Sequence, residues 1–209
     1  SETVADWYYT NAIGVAFAPE ERQRVLKGGC RAQTPQEVVA PAYAEAASYD
    51  QVTQMQYVDL FFWLVGDILL KTDKMSMAHS LESRVPFLDK GVFDVARTIP
   101  VPLRVTEQET KVTLREAAER AIPEDWARKQ KLGFPVPIVK WLREDRYYGQ
   151  VKEWFTGPEA QRFFDTDELM RILDEHKAGA DRSRKIWIVW MFLMWYRIYF
   201  VDCEKPSVD

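Results

Sequence analysis

Two segments of this chain hold the residue types that could do chemistry. The first, Leu70 to Lys90, reads LKTDKMSMAHSLESRVPFLDK and sets Asp73, Lys74, Glu82 and Arg84 among methionine and leucine anchors. Charges of both signs in an apolar setting predict paired, partly buried ions, because an unpaired buried charge is very costly. Glu82 and Arg84 alternate with Leu81, Ser83 and Val85, so they point the same way if the stretch is extended. Scaffolding explains such a pair more readily than catalysis. The second segment, Arg128 to Asp145, reads RKQKLGFPVPIVKWLRED. Lys131 precedes Gly133, which allows close backbone approach, and Pro135 and Pro137 stiffen the exit. A lysine on such a loop can set a point charge against phosphates. Arg128 and Lys129 are weaker candidates, with solvated roles expected. His79 and His176 have no metal partner at usable spacing. His79 is expected to be a satisfied structural histidine.

The elements that must position these residues read almost entirely as helix. Pro19-Glu20-Glu21-Arg22 looks like a helix start, running to Leu26 and stopping at Gly28-Gly29. Thr34, Pro35 and Glu37 form a capping box for a second helix. Gln51 to Leu70 is long and increasingly apolar and is expected to cross the core, with Asp67 and Lys71 as a favourable i,i+4 pair. Asp89 can cap 92–98, and Thr110 can cap 112–121, where Leu114, Ala117, Ala118 and Ala121 share a face. Further helices are predicted at 138–143, 147–155, 166–177 and 183–200. Leu169, Ile172 and Leu173 make the buried stripe of the third. On the last, Trp187, Trp190, Met191, Met194 and Trp195 read as core packing. The one strand candidate, 101–106, is demoted by Pro102. The expected fold is all-α, an irregular helical bundle spanning 1–209 as a single domain.

Composition bounds the function classes. A chain of 209 residues with 47% hydrophobic and 29% charged residues is ordinary for a globular protein, and one of this size buries roughly 70% of its unfolded surface. Eight tryptophans predict a substantial aromatic core. A net charge of −4 argues against a general nucleic-acid partner. Cys30 and Cys203 lack metal-ligand spacing and read as reduced thiols of a cytoplasmic protein. No signal peptide is expected at Ser1 to Tyr9. The longest apolar run, Ile186 to Tyr196, has eleven residues, short of the roughly 18 that a membrane span needs.

Both segments resemble the C-terminal part of the synthetase domain of glutamine-hydrolysing asparagine synthetases. Residues 73–82 match the family's D-R-M-S-M-A-H-S-L-E with Lys74 in place of the commoner arginine, and 83–89 match x-R-V-P-F-L-D. Residues 111–118 resemble K-x-x-L-R-x-A. Residues 131–137 resemble K-Q-G-F-G-V-P, with Leu132 and Pro135 as departures. The resemblance implies the helical C-terminal portion of an adenine-nucleotide α-hydrolase-like (PP-loop) synthetase domain. It implies that Lys131 contacts the ATP phosphates and the pyrophosphate leaving group, while Asp73, Lys74, Glu82 and Arg84 frame the pocket. It further implies aspartate, glutamine or ammonia, ATP and Mg²⁺ in the whole enzyme, with an upstream synthetase half and an N-terminal glutaminase domain as partners. The family's Ser-Gly-Gly-x-Asp-Ser pyrophosphate loop and its acidic G-E-G-S-D-E segment do not occur here, and residue 1 is Ser1 rather than a nucleophilic cysteine. The expectation is therefore a portion of a larger enzyme, inactive alone. Two other readings stand beside it: a related ATP-dependent amide-forming enzyme of the β-lactam or peptide-cyclising type, and a non-catalytic helical binding module.

Overall fold

The computed structural model describes residues 3–9, 16–28, 33–130 and 136–203. Secondary structure among them is helical, apart from two isolated bridges, Leu26 with Phe164 and Val105 with Thr110. None of their helices is long and apolar enough to cross a membrane. The chain divides into two compact units: 1–12 with 33–133, and 13–32 with 134–209.

In the first unit, local capping sets the helix starts. Thr34 accepts from the Glu37 N–H while Glu37 reaches back to the Thr34 N–H, and Pro35–Glu45 follows with its proline in the first turn. Asp50 accepts from the Thr53 N–H at 2.9 Å and starts Gln51–Asp59. Asp89 accepts from the Gly91 N–H, so the capping expectation holds, with the helix at Lys90–Ala96. The core is small: Val4, Val39, Ala42, Tyr43 and Val58. It carries a polar link in which the Tyr8 hydroxyl donates to Asp59 at 2.6 Å and the Tyr43 hydroxyl donates to the Tyr8 carbonyl at 2.8 Å. Burial and the neighbouring Asp59 carboxylate push the Tyr8 phenol well above its ordinary range.

Two expectations fail in this unit. The long helix does continue, through wider i→i+5 turns at Leu60–Leu69 and then Leu70–Met77. It does not cross the core, however: Val58 is its last buried residue, and Phe61 and Val65 are 57% and 58% exposed. Thr110 does not cap the helix Val112–Ala118. The N-cap residue is Lys111 at φ 62°, and Thr110 is engaged in the bridge with Val105. That helix buries Val112, and Leu114, on the face it shares with the alanines, is exposed. The demotion of 101–106 as a strand holds: Val101–Arg104 is a short helix, with Pro102 in the first helical turn, where its missing N–H is not needed.

The second unit is better packed. Helices Pro19–Val25, Asp145–Thr156, Pro158–Phe163, Thr166–Lys177 and Ser183–Tyr196 enclose Val25, Leu142, Val151, Phe155, Leu169, Leu173, Ile186 and Leu193. The 166–177 prediction is met to the residue, and Leu169, Ile172 and Leu173 are buried as expected. Asp165 starts this helix by accepting from the Asp167 and Glu168 N–H groups, both at 3.0 Å. His176 is fully buried. Its Nδ1 lies 3.0 Å from both the Arg182 backbone N–H and the Ala180 carbonyl, and its Nε2 lies 3.0 Å from the Val139 carbonyl, so both ring nitrogens have polar partners. The C-terminal helix turns a different face inward from the predicted one. Ser183, Ile186, Val189 and Leu193 are buried, while Trp187 and Trp195 are exposed. No tryptophan among the described residues is fully buried; the aromatic part of the core is Phe155 and Phe164, with Trp154 and Trp190 packed partly buried against it. The small and branched residues that recur every three or four positions fill the interior, and the indoles lie at its edge. Cys203 is exposed, and Cys30 and Gly29 lie outside the described residues.

A half-buried ion pair ties the end of the last helix to its neighbours. Arg197 Nε and Nη2 donate to the two oxygens of Glu159 at 2.9 and 2.8 Å, and the guanidinium lies 4.0 Å from the Trp154 ring centroid. The Arg197 hydrogen bonds hold the Glu159 carboxyl below its ordinary value of 4.5. A carboxylate with a lowered folded pKa contributes stability above pH 4.5 that is lost as pH falls through the folded value. Thermal melts from pH 7 down to pH 3 should therefore show a steeper acid loss in the parent chain than in Glu159→Gln. Parallel acid limbs would contradict this.

Candidate functional site

The Leu70 to Lys90 segment folds as a helix end, a bare extended run and a second helix start. The helix Leu70–Met77 closes through a reversed turn in which the Leu81 N–H donates to the Ser76 carbonyl and the Ser80 N–H to the Met77 carbonyl, both at 3.0 Å. Ser80 takes φ 55°, the left-handed conformation this closure needs and one glycine usually supplies. A non-glycine residue there gives up roughly 1–2 kcal/mol. The chain then runs without regular structure to the short 3₁₀ turn Pro86–Leu88 and to Asp89.

Asp73 and Lys74 sit exposed on the last turns of that helix, and neither has an ion-pair partner among the described residues. Glu82 and Arg84 do pair, at 2.6 Å, but their side chains are 69% and 82% exposed. The expected partial burial is absent because the apolar residues around them, Met75, Met77, Leu81, Val85, Phe87 and Leu88, are themselves exposed. A pair in that setting is worth at most about 1 kcal/mol. Asp67 and Lys71 pair as predicted, at 3.5 Å, and Asp67 also accepts from Trp63 Nε1 at 3.0 Å. His79 is exposed rather than built into the structure.

Lys131, Gly133 and Pro135 lie outside the described residues. The chain leading to them is held firmly. Arg128, expected to be solvated, donates from Nη1 to both oxygens of Glu109 at 3.0 and 2.8 Å and from Nε to Glu119. Glu119 and then Glu109 stabilise its charged form and raise its pKa further. Lys129 lies over the Trp126 ring, 4.5 Å from the centroid. Arg115, on the helix Val112–Ala118, donates from Nη1 to the carbonyls of Ala127 and Lys129, each at 3.0 Å, and from Nε to the Thr110 carbonyl at 3.0 Å. Its Nε is also 3.6 Å from Glu109. Reading the sequence for charge spacing missed Arg115, Glu109 and Glu119. The available signal was Arg115 inside the K-x-x-L-R-x-A match, but its partners lie 12 and 14 residues away.

Among the described residues no group of three or more His, Cys, Asp and Glu side chains is placed to hold a metal ion.

A family model described as asparagine synthase matches residues 6–197. A Mycobacterium tuberculosis protein, provisionally named a glutamine-hydrolyzing asparagine synthetase, is 41% identical over 214 residues, covering 100% of this chain and 32% of its own length. A Bacillus subtilis protein named glutamine-hydrolyzing asparagine synthetase 1 is 41% identical over 207 residues, 97% of this chain and 32% of its own. Another from the same organism, glutamine-hydrolyzing asparagine synthetase 3, is 29% identical over 124 residues, 59% of this chain and 19% of its own. The chain thus spans about a third of the length of the curated relatives it matches most fully. No solved structure matches it significantly.

Proposed function

The chain belongs to the asparagine synthase family, and on that premise we propose that it is the C-terminal part of a glutamine-dependent asparagine synthetase. The observation that carries the reading is the match over nearly the whole chain to proteins named for that activity. The proposed reaction has two steps. An aspartate side-chain oxygen bonds to the α-phosphorus of ATP while the bond to pyrophosphate breaks, giving β-aspartyl-AMP. Ammonia, released from glutamine elsewhere in the enzyme, then attacks the acyl carbon, loses a proton and expels AMP to leave asparagine.

The first step brings a carboxylate up to a polyphosphate, so cations on the phosphates must offset the repulsion. Lys131 is the residue of this chain proposed for that role, in contact with the leaving pyrophosphate. Asp73, Lys74, Glu82 and Arg84 are proposed to frame the pocket. Mg²⁺ is proposed to enter with ATP.

The exposed apolar residues Phe61, Val65, Met75, Leu81, Phe87 and Phe93 support an upstream synthetase portion as the partner of the first unit. Large exposed apolar side chains on one compact unit are what a further portion of the same protein would cover. The proposed upstream portion carries the pyrophosphate loop, with a glutaminase domain beyond it. On this reading the 209-residue chain alone makes no asparagine.

The test is pyrophosphate release from Mg-ATP with ammonia supplied, run with the full-length enzyme and with the 209-residue chain. Release that requires aspartate in the former and is absent in the latter is the expected result. Aspartate-dependent AMP formation by the short chain would overturn the division of labour. Release from full-length enzyme with a different carboxylate, and none with aspartate, would move the reading to a related amide-forming enzyme.

A further inference from the structure

We propose that the outward face of the last helix is a docking surface for a second copy of this chain. The helix Ser183–Tyr196 continues through the wider turns of Arg197–Val201. Over 186–201 it carries a single charged side chain, Arg197, which is taken up by Glu159 of its own unit. Ile186, Val189 and Leu193 are buried in that unit's core. On the opposite side, Trp187, Ile188, Trp195, Ile198 and Tyr199 recur at helical spacing as an outward stripe, from 40% exposed at Trp187 to 61% at Tyr199. A helix that is apolar all round is ordinarily buried all round, and its own unit covers one side only.

Area, charge and extent point to the occupant. The stripe leaves on the order of 600 Å² of surface on each copy, aromatic rings supplying most of it. Two such faces reach roughly the 1,200 Å² at which specific interfaces begin, and the adjoining Phe200 and Val201, also exposed, widen the contact. An uncharged stripe offers nothing to a charged partner. Antiparallel pairing about a two-fold axis sets it against its own apolar copy. Ile198 and Tyr199 lie beyond residue 197, where the family match ends. That extension carries the surface outside what the family model describes, in contrast to the upstream portion proposed for the first unit. The surface is also held in shape before anything docks. Trp195 packs on Tyr199 and Phe200 with centroids 6.2 and 5.0 Å apart, and Trp187 packs edge-on to Trp190 at 6.2 Å. Rigid aromatic anchors of this kind lose little freedom on association and dominate interface energetics.

The test is the mass of the full-length enzyme in solution, by sedimentation velocity over a concentration series, for the parent and for Trp195→Glu combined with Tyr199→Glu. Far-UV circular dichroism and aspartate-dependent pyrophosphate release are followed alongside. The parent is expected to be a dimer. The double variant should raise the dimer dissociation constant by at least about 100-fold, because it removes two anchors and sets like charges facing each other across the axis. A monomeric parent would overturn the proposal, and so would a dimer that the double variant leaves intact. Loss of fold in the variant with a monomeric parent would instead place the stripe against another part of the same polypeptide. If the double variant of a dimeric parent does not fold, Ile198→Lys alone is compared in the same way, and an unchanged dissociation constant would overturn the proposal equally. Absence of aspartate-dependent release from the parent would overturn the proposed reaction and leave the mass result standing.

Discussion

Lys131→Ala in the full-length enzyme is expected to lower aspartate-dependent pyrophosphate release by about 10²–10³-fold, the usual consequence of removing one donor from a developing anion. Pyrophosphate accumulates negative charge as it leaves, so a cation that contacts it stabilises the transition state more than bound ATP. The loss should therefore appear mainly in kcat, with a smaller rise in KM for ATP. Lys131→Arg keeps the charge but presents a broader, planar head, so partial recovery at most is expected. Glutamine hydrolysis, proposed to occur in another domain, should be unaffected. A loss under about 10-fold, or one confined to KM, would remove Lys131 from the chemistry and leave it as a binding contact.

The second large effect concerns stability. Phe155 is fully buried and sits in a cluster with Val151, Leu169, Leu173, Ile186 and Leu193. Truncation to alanine should cost about 3–5 kcal/mol in the second unit, combining lost transfer energy with a cavity that close-packed neighbours fill only in part. Denaturant titration followed by far-UV circular dichroism would read it as a lower midpoint at unchanged slope. Phe87 is the internal control. It is 69% exposed, so Phe87→Ala in the 209-residue chain should change stability by less than about 0.5 kcal/mol. If an upstream portion covers that face, the same substitution in the full-length enzyme should cost several times more. A large effect of Phe87→Ala in the short chain, or a negligible one for Phe155→Ala, would contradict the burial described above.

These contrasts separate what was legible in the residues from what was not. The helices at 19–25, 35–45 and 166–177 were readable because their signals are local. A capping hydroxyl or carboxylate bonds an N–H two or three residues on, as Thr34, Asp89 and Asp165 do. Leu169, Ile172 and Leu173 meet the core because 3.6-residue geometry puts them on one face. Where the local signal was ambiguous, tertiary context decided otherwise. Thr110 was a good cap by type but was drawn into a bridge with Val105, and Lys111 took the cap position in a left-handed conformation. The C-terminal helix is apolar almost all round, so its periodicity could not say which face would be buried. Packing chose Ile186, Val189 and Leu193 over the tryptophans.

For the candidate site the division is similar. By itself the sequence determined the family, through two motifs in order, and made Lys131 the candidate for a phosphate contact, because residue identity and spacing are written directly in the chain. It also determined the Glu82–Arg84 and Asp67–Lys71 pairs, whose partners are two and four residues apart. Only the tertiary structure decided that the first of these pairs stands in solvent, since exposure depends on what packs over a residue rather than on its neighbours in sequence. Only it could assign Arg128 to Glu109 and Glu119, or Arg115 to carbonyls 12 and 14 residues away. Hydrogen bonds act over about 3 Å, and which groups come that close across such separations is fixed by the folded path of the chain.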